Sequence, residues 1–147
     1  WSEARELDWY LLSEPAHQQL QAYVKELLAL YKKYPALYAN DCNTDGFEWM
    51  NADDCSRSIY SFVRKSPTGR NNLLFVINYT PVAREDYRVG VPKKKQYRLI
   101  LNSKDPKFGG DVPVEQTVYN AEKQECDGKE FSFAYPLPAY GVAVFVY

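Results

Sequence analysis

Pro35 divides this chain into two periodicities. Ahead of it apolar residues recur at the helical spacing, and behind it they alternate at every second position to the last residue. One helical stretch followed by many alternating ones can bury its apolar side chains only by closing strands on strands. The expectation is therefore a mainly β fold with a single helix at its start. Within residues 16–34, Leu20, Tyr23, Val24, Leu27, Leu28, Leu30, Tyr31 and Tyr34 share an arc about 160° wide, and Gln18, Gln21, Lys25, Glu26, Lys32 and Lys33 fill the remainder. That is an amphipathic helix. Ser13-Glu14-Pro15 supplies its start, with proline in the first turn and a Ser or Glu side chain to accept from the free N–H groups. Pro35 supplies its stop.

Behind Pro35 the most constrained stretch is 73–79, an apolar run broken only by Asn78 and rich in β-branched and aromatic residues. It has a strand's length, and its continuous apolarity predicts a central strand with neighbours on both edges and layers over both faces. Thr80-Pro81 ends it, because proline has no N–H for the ladder. Further candidate strands are 47–50, 58–64, 86–89, 97–101, 114–118, 130–135 and 142–147. Turns separate them at Asp53-Asp54, 66–69, Pro92 with its lysines, 109–111, Asp127-Gly128 and 136–141. Short strands at this spacing predict an antiparallel β-sandwich. Residues 1–12 show no clear period and read as a lead-in loop.

Composition narrows the function. A net charge of −1, with 25% charged residues spread along the chain, offers no basic face for a nucleic acid, and Lys93-Lys94-Lys95 reads as a solvated turn. No apolar run has membrane-spanning length and no signal peptide is evident, so a soluble, cytoplasmic protein without a membrane partner is expected. Cys42, Cys55 and Cys126 are odd in number and widely spaced, which fits a reducing compartment. The chain starts at Trp1 and its only methionine is Met50, so it reads as an excised piece. Thirteen tyrosines, seven phenylalanines and three tryptophans make it 16% aromatic, which serves packing and sugar stacking alike.

The candidates for chemistry are few. Residues 41–46 match the first half of a calcium loop, D-x-N-x-D-G, but Ala52 stands where the bidentate glutamate belongs, so a polar turn is expected rather than a metal site. Asp53-Asp54 read as solvated turn residues, and His17, the only histidine, has no nucleophile placed beside it. Without a C-x-x-C pair a zinc site is not expected, and no cofactor is implied. Asn78-Tyr79-Thr80 matches a glycosylation acceptor formally but ends a core strand. Aromatic residues remain. Trp1, Trp9 and Trp49 lie outside the longest buried strands, and Trp49 is the leading sugar-contact candidate, with Phe47 two residues earlier on the same strand face and Glu48 able to reach hydroxyls. Packing, in the core or against another domain, is the competing and favoured reading for Trp49.

Asn78-Tyr79-Thr80-Pro81-Val82, Arg84, Tyr87-Arg88-Val89-Gly90-Val91-Pro92 and Leu101-Asn102-Ser103 together resemble the C-terminal region of bacterial 1,4-α-glucan branching enzymes, members of the α-amylase superfamily. Leu7-Asp8-Trp9, Tyr34-Pro35-Ala36-Leu37, Gly46-Phe47-Glu48-Trp49, Asp53-Asp54 and the closing Leu137-Pro138 to Gly141 extend the resemblance along nearly the whole chain. It departs in two loops: Asp111-Val112-Pro113 replaces a longer Gly/Asn-rich segment, and Pro138-Ala139-Tyr140 stands for two prolines and a leucine.

The resemblance implies a Greek-key sandwich of the α-amylase C-terminal type over residues 37–147, preceded in 1–36 by a loop and helix from the end of a (β/α)₈ barrel. It places the catalytic acids upstream of Trp1, since such a barrel needs about 250 residues. The implied parent cleaves an α-1,4 glucan and transfers the piece to a 6-hydroxyl. This part is expected to be non-catalytic, to support the barrel and to touch glucan through Trp49 and Phe47; the alternative is an autonomous α-glucan-binding module. Its expected partners are glucan, the barrel of the same chain, and a second copy joined through the helix.

Overall fold

The computed structural model describes residues 2–147. A 3₁₀ turn at Trp9–Ser13 leads into α1 (Pro15–Lys33), and a second, Pro35–Leu37, turns the chain toward the strands. These are β1 (Phe47–Asn51), β2 (Ile59–Arg64), β3 (Leu73–Asn78), β4 (Arg84–Val91), β5 (Gln96–Asn102), β6 (Val118–Asn120), β7 (Phe131–Leu137) and β8 (Val142–Val146). A six-stranded sheet runs β1-β2-β3-β8-β5-β6, and β4 pairs with β7 in a smaller sheet packed against it. All pairings are antiparallel. Strand β3 lies centrally between β2 and β8, as its apolar run predicts.

Alternation along these strands builds two cores. Ile59, Val63, Leu74, Val76, Tyr97 and Phe145 of the large sheet meet Val89, Val91, Phe133 and Leu137 of the small one. At its centre the Phe145 ring lies 5.2 Å from Phe133 and 5.0 Å from Tyr135, both edge-on. On the opposite face of the large sheet Leu73, Leu101, Val144 and Val146 pack under Leu30, Tyr34 and Ala36. The order of layers is helix, large sheet, small sheet.

Three expectations are corrected. The strand expected over 114–118 forms instead at β6, because the pairing Tyr97↔Tyr119 puts the Tyr119 ring into the core and turns Val118 outward. Strand β7 runs on through Pro136, expected as a turn; that residue lies where the register with β4 jumps between Arg84 and Tyr87, so its missing N–H breaks no paired rung. Among the described residues no side chain caps α1. The Ser13 hydroxyl donates to the Tyr10 carbonyl, and the Glu14 backbone carbonyl receives the N–H groups of His17 and Gln18.

The helix lies on the sheet with only part of its apolar arc, and its most apolar ridge does not face the sheet. Tyr23, Glu26, Leu30 and Tyr34 face inward or lie partly covered, whereas Leu20, Val24, Leu28 and Tyr31, roughly a quarter turn further round, are exposed. Leu30 keeps 8% of its surface and Leu28 keeps 56%. Tyr23 anchors the inner stripe through an edge contact of 5.1 Å with Phe108.

Candidate functional site

The outward positions of β1, β2 and β3 form an aromatic platform. Register sets Trp49 opposite Phe62 and Phe62 opposite Phe75, so their rings share one face in neighbouring rows. Phe62 stacks on Phe75 at 4.8 Å and on Phe47 at 5.2 Å, and Phe47 meets Trp49 edge-on at 5.0 Å. Tyr60 joins Trp49 at 6.4 Å and Tyr79 at 5.7 Å. Trp49 is half exposed, at 50%, and Tyr79 more so. The structure thus brings Trp49 and Phe47 together, as the alternation suggests, and adds Tyr60, Phe62, Phe75 and Tyr79. Those four were readable as outward positions of their strands, but their convergence required the pairing. Trp9 stands apart, exposed in the first 3₁₀ turn, and Trp1 lies outside the described residues.

Arg64 closes one end of the platform. Its guanidinium donates to the carbonyls of Ala36 and Leu37 and pairs with Asp41 at 2.7 Å, tying the helix exit to β2. This gives Asp41 a structural partner, and Gly46 is required where a side chain would collide with the Asn40 backbone. The calcium-like pattern is accounted for by a tight turn. Phe75 touches the helix-side core while stacking on Phe62, so platform and helix lie on the same side of the sheet.

The polar candidates are engaged elsewhere. Glu48 is held by Lys65 at 2.6 Å and Lys129 at 2.9 Å, and these hydrogen bonds keep its carboxyl below the usual range. Asp54 corrects the expectation of a solvated turn pair: it is buried, ion-paired with Arg57, and accepts from Ser56 Oγ and the Arg57 N–H. Burial pushes its carboxyl up, but bonding to Arg57 outweighs that and holds it down. A carboxylate kept ionised in this way does not supply the protonated acid that glycosyl transfer needs. Asp53 is exposed. Asn51 donates to Asp127 at 3.1 Å, and the Arg57 guanidinium lies 5.3 Å over the Tyr87 ring. This network ties the β1–β2 loop to the small sheet.

His17 is exposed, and Cys42 and Cys55 lie at the surface. Burial pushes the Cys126 thiol up to about 11, so it is neutral near pH 7. Asn78 is buried: its amide donates to the carbonyls of Val82 and Pro138 while its oxygen accepts from Thr80, which leaves nothing for a glycan. Among the described residues no helix is long and apolar enough to cross a membrane, and no three His, Cys, Asp or Glu side chains are grouped to hold a metal.

Residues 49–147 match the family described as the alpha amylase C-terminal all-beta domain. All 147 residues align at 46% identity with the 1,4-alpha-glucan branching enzyme GlgB of Butyrivibrio fibrisolvens, covering 100% of this chain and 23% of that protein. The GlgB of Aquifex aeolicus is 38% identical over 97% of the chain and 22% of its own length. That of Cereibacter sphaeroides is 41% identical over 94% of the chain and 19% of its length. The chain thus spans less than a quarter of each of these relatives.

Proposed function

This chain belongs to the alpha amylase C-terminal all-beta domain family, in the form found in GlgB-type branching enzymes, and from that premise we infer that it supports the catalytic part of such an enzyme. On this reading residues 1–36 close the preceding domain and residues 37–147 form the buttress. The glucan cleavage and transfer implied for the parent occur upstream, and the chain alone catalyses neither.

One observation carries this: the outward ridge of Leu20, Val24, Leu28 and Tyr31 lies on the same side of the sheet as the aromatic platform. Each large apolar side chain left in water forgoes about 1.5–3 kcal/mol. A contiguous apolar surface of this kind marks an interface, and the relatives carry more than three quarters of their length outside the matched region. The occupant we assign is that remainder. Without it, the same ridge pairs two copies of the chain.

A purified complementary segment of a GlgB enzyme is expected to bind the chain in pull-down and sedimentation experiments, and Leu28→Lys with Tyr31→Glu to abolish the complex. Failure of the unmodified pair to associate would count against docking. Branching of amylose by the chain alone, read by iodine staining, would overturn the non-catalytic assignment. A second reading has support from the half-exposed indole of Trp49 beside Phe47: glucan contact at the platform rim. In that case maltoheptaose titration loses its heat in Trp49→Ala.

A further inference from the structure

The platform and the ridge leave one end of the sandwich unexplained. There the hairpin between β7 and β8 meets the segment entering β4 and the loop leaving β5, and a cleft of about 220 Å³ opens between them. Arg84, Glu85, Lys104, Asp111, Pro138 and Tyr140 line it. It shares Val112 and Pro136 with a neighbouring cleft of about 260 Å³ that reaches Tyr119 and Tyr135.

Two features distinguish the first cleft. Tyr140 sits at φ 47°, in the left-handed region that glycine and asparagine accept and bulky side chains avoid, yet its ring is 63% exposed. The hairpin that presents it is rigid: the Tyr140 N–H donates to the Thr80 carbonyl at 2.9 Å, the Asn78 N–H to the Gly141 carbonyl at 2.9 Å, and the Asn78 amide to the Pro138 carbonyl at 3.0 Å. The ring is therefore held out from a fixed frame. In the same lining the Arg84 Nε is buried with no hydrogen-bond partner among the described residues.

Charge decides the ligand class. Arg84 and Lys104 are balanced by Glu85 and Asp111, with Lys104 and Asp111 3.4 Å apart across the wall. A phosphate or another polyanion would meet two carboxylates there. A neutral polyhydroxylated chain meets donors and acceptors of both kinds and a flat ring for its C–H face. We propose that this cleft is a subsite for a linear α-1,4-glucan, with Tyr140 stacking on one sugar ring and Arg84 donating to its hydroxyls. The choice of glucan rests on the branching-enzyme reading above; the cleft's geometry does not.

Calorimetric titration of the chain with maltoheptaose tests this. Tyr140→Gly removes the ring and relieves the backbone, so the melting temperature is expected to hold or rise while binding weakens about tenfold, the loss of one stacking contact. Should Tyr140→Gly melt lower, Tyr140→Asn, which also accepts positive φ, serves the same purpose. Arg84→Gln is expected to weaken binding several-fold. Absence of binding to the unmodified chain, equal binding by a folded Tyr140 variant, or loss confined to Trp49→Ala would each overturn the proposal. Docking of the complementary enzyme segment, measured on the same Tyr140 variant, reports separately: if it persists while maltoheptaose never binds, the subsite fails and the supporting role stands.

Discussion

The two faces of the large sheet arise from the same alternation and end differently. Its inner face, with Ile59, Val63, Leu74, Val76 and Phe145, is closed by β4 and β7 of the same chain and excludes water completely at those residues. Its outer face is closed by α1 only over Leu73, Leu101, Val144 and Val146, while Trp49 and Tyr79 stay open beside it. The inner face holds the chain together. The outer face, together with an apolar helix ridge turned outward, is left largely uncovered.

Substitutions that shrink one side chain at a time sharpen this contrast. Phe145→Ala, at the centre of the inner core, is expected to destabilise the chain by about 3–5 kcal/mol in urea unfolding, and Leu30→Ala under the helix by about 2–3 kcal/mol. A larger loss at Leu30 would break the comparison, because it would make the helix side the principal core. Asp54→Asn comes next, at about 1.5–3 kcal/mol, since it weakens the charge-assisted bonds with Arg57 in a buried loop.

The same residue sets an acid limb. Asp54 and Glu48 have folded values below their ordinary 3.8 and 4.5, so the unfolded chain takes up protons first as pH falls. Their contribution is present above about pH 4.5 and lost as pH drops through the folded values. Melting temperatures followed from pH 6 downward should therefore decline, and less steeply in Asp54→Asn. The smallest expected change in stability is Leu28→Lys on the exposed ridge, within about 0.5 kcal/mol, with the effect appearing instead as lost self-association in sedimentation. A large destabilisation there would mean that the ridge is packed in the isolated chain.

Much of this was legible beforehand. Pro35, the apolar run 73–79 and the regular turn signals predict one helix, a central strand and an antiparallel sandwich, and the pattern from Asn78 to Pro92 resembles the branching-enzyme family. Trp49 and Phe47 on one strand face followed from parity alone. The misses share a cause. Val114 and Val118 stand on one parity and suggest a strand between them, but Tyr119 has more surface to bury, and its cross-strand partner Tyr97 holds it inward. Asp54 looked like any turn carboxylate until Arg57, Asn51 and the neighbouring sheet surrounded it.

Local spacing determined which residues can share a face, because side chains repeat with the backbone period whatever lies around them. It determined the helix, most of the strands and their two-sidedness. Tertiary packing alone decided which face is filled. The apolar arc of α1 is wider than the strip of sheet available to it, so the helix settled on Leu30 and Tyr34 and left Leu20, Val24, Leu28 and Tyr31 outside. Spacing along one element carries no record of the area its neighbours can offer.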